Sequence, residues 1–289
     1  MRKTIFLLIM AVLAFGCGGG EEAAEAPPED AVAADATDEM PDPFEAPMVL
    51  IPGGEYTVGS DWRPEKQQDK GQWWEPPHTT TVEPFMIDVY EVTFEQFLRF
   101  DIAADREYKI EGDWRSYYAP GKELKPVPNV TFKDAKAFCE WKGKRLPTEI
   151  EWEVAARGKN PVRYPWGDEW DATKTNTNER GFSDTMEVGQ NPEDKSEFGV
   201  YDMMGNVQEW TDSRLKPYPD SPARTRGDRA VYDQNLRVVR GGSYALKGSQ
   251  MGLFVRMGFL EGMQSGTGIR CVQDAPEEGS EEDSESASN

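Results

Sequence analysis

Only one histidine, His78, and three cysteines, Cys17, Cys139 and Cys271, occur in 289 residues. That scarcity excludes much familiar chemistry. A Ser-His-Asp triad would have to use His78, and no nucleophile-elbow string accompanies it. No CxxC, HExxH or Walker-type string is present, so thiol-redox, zincin and phosphate-loop sites lack their ligands. Base is short as well, with 32 Lys and Arg against 53 Asp and Glu. Nucleic acid is not expected as a partner, because the phosphate contribution to binding needs clustered Lys and Arg. One apolar run stands out, Ile5 to Phe15, and it is too short to span a bilayer comfortably.

The acidity sits mostly in the flanks. Residues 18–46 carry ten acids and no base, and from Asp274 onward there are seven more, again without a base. Setting these aside together with Arg2 and Lys3 leaves a net charge of about −6 on the body. Segments of low hydrophobicity and high like charge cannot bury enough apolar surface to offset their ordering entropy. Residues 1–16 read as a signal peptide, with a basic start, an apolar centre and a small residue before the cleavage point. The string Leu13-Ala14-Phe15-Gly16-Cys17 is similar to a bacterial lipobox, which makes Cys17 the lipidated first residue of the mature chain. Ala14 stands where such boxes usually carry Leu, and ordinary signal-peptidase cleavage with a free Cys17 is the competing reading. Residues 17–46 then form an acidic, disordered tether, 47–273 one folded domain, and 274–289 an acidic, disordered tail. The expected location is the cell envelope, lipid-anchored, with Gly18 rather than Asp pointing to the outer membrane. With Cys17 acylated, Cys139 and Cys271 are either a disulfide, as an oxidising compartment favours, or two buried free thiols.

Three helix starts are written in capping chemistry, in which a hydroxyl and an acceptor three residues on satisfy orphaned amides. Thr93 with Gln96 opens the first, Thr131 with Asp134 the second and Thr148 with Glu151 the third; Gly143 and Gly158 stop the latter two. Extended runs are expected at Met48 to Ile51, Phe85 to Val89, Leu236 to Val239 and Gly268 to Val272. Residues 57–80 and 163–200 show neither the helical nor the strand period. So much irregular chain in a compact domain calls for aromatic packing, a disulfide or bound Ca²⁺ to hold it.

Seven strings occur in order: MVLIPGGEYTVGS from Met48, FMIDVYEVTFEQF from Phe85, NVTFKDAKAFCEWKGKRLPTEIEWEVAARG from Asn129, YPWG from Tyr164, FGVYDMMGNVQEWT from Phe198, RVVRGGSY from Arg237 and GIRCV from Gly268. Together they make the body resemble the formylglycine-generating-enzyme, or sulfatase-modifying-factor, family. The resemblance implies an irregular α+β fold related to C-type lectins, with few short helices and strands and long loops. It also implies what should follow RVVRGGSY. In the oxidase members two cysteines there bind copper, a soft-ligand role; here those positions are Leu246 and Met251, so copper is not expected and no catalytic residue is assigned.

By the same resemblance, structural Ca²⁺ is expected at Asn206 and Glu209 with the carbonyls of Gly205 and Val207, hard oxygen donors of the kind Ca²⁺ takes. The competing reading has Asn206 and Glu209 merely capping a turn, and Gln208 replaces an aromatic that many members carry. A second Ca²⁺ site would use Asn176, Thr177, Asn178 and Asp184. Cys139 and Cys271 match positions that are disulfide-bonded in exported members. His78 stands where the family often has a His before its second strand, and a structural or surface role is expected for it rather than catalysis. Residues 212–236, with Tyr218, Pro219, Arg224, Arg226 and Tyr232, are a candidate recognition loop or a plain solvated insertion. The expectation is an envelope-anchored lipoprotein that binds a protein or glycan, or serves structurally. The alternative is a formylglycine-generating or other cysteine-independent periplasmic oxidase.

Overall fold

A computed structural model describes residues 45–62, 72–73, 76–104, 111–218 and 234–276. Cys17, the tether, most of the tail and the loop positions Pro219, Arg224, Arg226 and Tyr232 lie outside the described residues. The capping chemistry places all three helices. Helix α1 (Phe94–Ala104) follows Thr93, whose amide bonds the Gln96 side chain at 3.0 Å. Helix α2 (Phe132–Trp141) follows Thr131, whose hydroxyl accepts the Asp134 amide. Helix α3 (Glu149–Arg157) begins with a reciprocal capping box between Thr148 and Glu151 and ends at Gly158. No helix among the described residues is long and apolar enough to cross a membrane.

Among the described residues ten short strands make three sheets: β1 (Met48–Ile51), β2 (Gly54–Val58), β3 (Gln72–Trp73), β4 (His78–Val82), β5 (Phe85–Asp88), β6 (Gln208–Arg214), β7 (Arg237–Arg240), β8 (Arg256–Phe259), β9 (Thr267–Gly268) and β10 (Val272–Asp274). The orders are β1-β5-β10, β2-β4 and β3-β8-β7-β6-β9, all antiparallel except β6 with β9. This is the mixed α+β architecture expected from the resemblance, with residues 163–200 free of strands and α-helix.

The run Gly268 to Val272 is not one strand. Thr267–Gly268 pairs with β6, Val272–Asp274 pairs with β5, and residues 269–271 cross between the two sheets. The reason is Arg270, whose fully buried guanidinium reaches Glu209 in the large sheet and the carbonyls of Asp88, Val89 and Tyr201. Glu209, expected from the resemblance as a Ca²⁺ ligand with turn-capping as the competing reading, sits inside β6. A disulfide joins Cys139 of α2 to Cys271 of the crossing, across a separation of 132 residues.

Two apolar clusters flank this crossing. One gathers α3 and β5 around Trp152, Phe85, Tyr164 and Phe254. The other packs α1 and α2 through Phe97, Phe100, Phe138 and Trp114 against Trp210 of β6. Aromatic contacts such as Phe97 against Trp114, with ring centroids 5.4 Å apart, carry much of that packing.

Candidate functional site

The segment after β7 begins Gly241-Gly242-Ser243-Tyr244 and runs to Met251. Its backbone is pinned from outside. Asn178 donates its amide to the Leu246 carbonyl at 3.0 Å and its side chain to Ala245 at 3.2 Å. The Glu179 carboxylate accepts the amide and hydroxyl of Ser249 at 2.8 and 2.6 Å, and Arg163 donates to the carbonyls of Ser249 and Met251. Gly248 lies against Trp170 so closely that a Cβ there would sit 2.0 Å from the indole, so only glycine fits. Met251 is buried and Leu246 half-buried against the first apolar cluster. The loop therefore holds two apolar side chains in a fixed frame. A thioether and an isobutyl group offer no thiolate to a soft metal, and the disulfide engages the remaining described sulfhydryl groups.

Next to it lies an ionic core on α3. Glu153 is fully buried and accepts from Arg240, Arg157 and the Gly59 amide. Burial pushes its carboxyl up, but the two guanidinium groups outweigh that and hold it below the usual carboxylate range. Glu149 pairs with Arg256, at 2.7 Å from Oε1 to Nη2. The Tyr218 hydroxyl sits 3.4 Å from both glutamates.

A second buried set is richer in acid. Glu209 makes a bidentate pair with Arg270 and accepts the Trp152 indole N–H at 2.6 Å. Around it are Glu91, Asp194 and Asp202, all buried. Burial, then Asp202 and Glu209, push Glu91 well above the usual range. Burial, with Asp202 beside it, takes Asp194 to about 8, and burial takes Asp202 to about 6.

These placements bear on the metal expectations. Asn206, in the left-handed region at φ 63°, has its side-chain carbonyl accepting from Asn176 at 3.1 Å and from the Met186 amide at 2.9 Å, while its amide group donates to Glu91. Asn206 and Glu209 thus turn to different partners, and Glu209 already neutralises an arginine. Gly205 admits the neighbouring chain because a Cβ would lie 2.2 Å from the Thr175 hydroxyl. In the second set, Asp184 pairs with Lys122 and Lys125, each at 3.0 Å, and Asn178 faces Ala245. Asn176 differs: its side-chain carbonyl, like the hydroxyls of Thr177 and Thr185, is buried without a hydrogen-bond partner. An orphaned acceptor of this kind fits a hard cation; among the described residues no group of three or more His, Cys, Asp or Glu side chains is arranged to hold a metal. Sequence reasoning missed Glu91, Asp194 and Asp202, whose only visible signal was the acidity of an already acidic chain.

The family described as the sulfatase-modifying factor enzyme 1-like domain matches residues 34–275. The chain belongs to this family. It is 31% identical over 251 residues to the inactive C-alpha-formylglycine-generating enzyme 2 of Bos taurus, covering 68% of this chain and 76% of that protein. Against the formylglycine-generating enzyme of Thermomonospora curvata it is 30% identical over 253 residues, covering 68% and 82%. The structure of PvdO from Pseudomonas aeruginosa superposes with a TM-score of 0.59 at 26% identity, covering 79% of this chain and 94% of that one. In this sulfatase-modifying-factor domain the pinned loop carries Leu246 and Met251.

Proposed function

We propose that this protein is a family member without the copper-oxidase chemistry, anchored to the envelope by lipid on Cys17 and acting by binding. The observation that carries the reading is the pinned loop holding Leu246 and Met251, with the Cys139 and Cys271 sulfurs bonded to each other. Family membership alone does not assign function, but a relative named as inactive supports the reading. The decisive experiment measures oxygen consumption by the purified protein, with and without copper, on a sulfatase-type cysteine peptide. No copper-dependent uptake is expected, and turnover would overturn the proposal.

Two parts of the reading have their own tests. Cys17→Ala should lose membrane association or accumulate unprocessed; fractionation like the parent removes the anchor. A structural Ca²⁺ is part of the proposal, with the unpaired Asn176 carbonyl as its best-placed side-chain donor. A chelator should then lower the melting temperature, since a ligand bound by the folded state alone stabilises it by about 2.7 kcal/mol at a hundredfold excess over Kd. An unchanged melting curve would remove the cation.

A further inference from the structure

Apart from the pinned loop, a cleft of about 430 Å³ opens beside the start of α3, lined by His78, Thr79, Thr80, Glu149, Ile150, Ser213 and Tyr218. That volume lies in the range of small-molecule sites. Its floor is rigid. The Tyr218 ring is held between the Arg256 guanidinium, 4.2 Å from its centroid, and the His78 ring at 4.7 Å. Both Glu149 oxygens accept from Arg256. His78 and Thr80 alternate with exposed Thr79 along β4 and so share one face of it.

The chemistry of the ligand follows from which groups remain uncommitted. Among the described residues, the hydroxyls of Thr79 and Thr80 and the outer ring nitrogen of His78 have no hydrogen-bond partner. Ser213 accepts the Glu149 amide at 2.9 Å through its hydroxyl oxygen, which leaves its own hydrogen to donate. A cation would need a carboxylate, but Glu149, the only acid among the described residues lining the cleft, is taken by Arg256. An anion would need uncommitted positive charge, but Arg256 is bound to Glu149, and Glu149 and Glu151 already complement the positive end of the α3 dipole. The remaining groups include no carboxylate or guanidinium, the hydroxyls can each donate or accept, and the His78 ring adds one further polar atom. That is the complement of a ligand bearing several C–OH groups on a compact ring.

We propose that the cleft between β4 and the start of α3 binds a neutral sugar, a mono- or disaccharide unit, through the hydroxyls of Thr80 and Ser213 and the His78 ring. The proposal rests on the reading of the protein as a binding component and adds the place and chemical class of its ligand.

Saturation-transfer NMR on the full chain tests it, with glucose, N-acetylglucosamine, maltose, cellobiose and chitobiose as probes and glucuronate and glucosamine as charged counterparts. At least one neutral probe should receive saturation, and Thr80→Val and His78→Phe should each weaken its binding about tenfold with circular dichroism unchanged. Leu260→Ser, an exposed position outside the cleft lining, should leave it unaffected. Three results overturn the proposal: no transfer to any neutral probe at about 10 mM, a charged counterpart bound as well as its neutral parent, or binding untouched in both cleft variants. These outcomes are separate from the oxygen-uptake measurement. A failed sugar screen with no turnover removes this ligand and leaves the binding role standing, whereas copper-dependent turnover removes the binding role itself.

Discussion

The two buried ionic regions are built to different charge balances. On α3, Glu149 and Glu153 meet Arg157, Arg240 and Arg256, so base exceeds acid. Around β6, Glu91, Asp194, Asp202 and Glu209 meet Arg270 as their principal cation. Taking ions out of water is repaid only when partners and hydrogen bonds match them. The α3 set gives each carboxylate at least one guanidinium, and burial notwithstanding its Glu153 is held below the usual carboxylate range. The β6 set does not, and its acids shift towards the protonated form. One region is closed electrostatically, and the other is completed by protons or by a cation.

The largest way to break the comparison is Arg270→Met, which strands Glu209 among three other acids. Breaking a buried pair in this way typically costs about 3–5 kcal/mol, and chemical denaturation should show a loss of that size. Adding Glu209→Gln should recover part of it, and a double mutant no more stable than the single would detach Glu209 from the deficit.

Opening the disulfide comes next. With Cys139→Ser and Cys271→Ser together, a loss of about 2–5 kcal/mol is expected, as for native disulfides in exported domains. Hydrogen exchange should rise first around β10 and the 269–271 crossing, which the bond holds next to Arg270. Uniform acceleration through α3 as well would mean that the two regions open as one.

A pH series separates the regions by sign. Asp194 at about 8 and Asp202 at about 6 are raised above their unfolded values. The stability they contribute is therefore full below about pH 4 and is lost as pH rises through about 6 and then 8. Glu153 is lowered, so its contribution is present above about pH 4 and is lost as pH falls through its folded value. In chelator, the melting temperature should fall between pH 5 and 8, and added Ca²⁺ should flatten that fall. A rise over the same window would show that the β6 acids ionise without assistance.

The smallest expected effect tests the link between the regions. Trp152 donates its indole N–H to Glu209, while the Arg240 guanidinium lies 5.2 Å from its ring centroid. Trp152→Phe removes the donor and leaves an aromatic ring under Arg240, so about 1–3 kcal/mol should be lost. Double-mutant cycles should find coupling of Trp152 to both Glu209 and Arg240; coupling to one alone would make the regions independent.

What could be read from the sequence was what is local. Thr93, Thr131 and Thr148 announce their helices because a cap needs only the next three residues. The strings from Met48 to Val272 identified the family, and with it the irregular fold and the pairing of Cys139 with Cys271. Glu209 was expected as a Ca²⁺ ligand, with turn-capping as the competing reading, because nothing near it in sequence reveals that it pairs with Arg270, 61 residues away. The break in the run Gly268 to Val272 has the same origin, since β9 and β10 pair with β6 and β5, both far upstream. Leu246 and Met251 were located by counting along a motif, but the clamp made by Asn178, Glu179 and Arg163 depends on tertiary placement.

The crossing at residues 269–271 also imposes an order on folding during synthesis. Arg270 bonds carbonyls 182 and 181 residues earlier, Cys271 bonds a sulfur on α2, and β10 completes the sheet around β5. Until residues 267–274 emerge, β5 lacks one neighbour, α2 lacks its tether, and Glu91, Asp194, Asp202 and Glu209 lack the arginine that offsets them. A chain made from its N-terminus therefore cannot close this domain early. The body stays open and locks last, when the short stretch 267–274 joins the two larger sheets to each other.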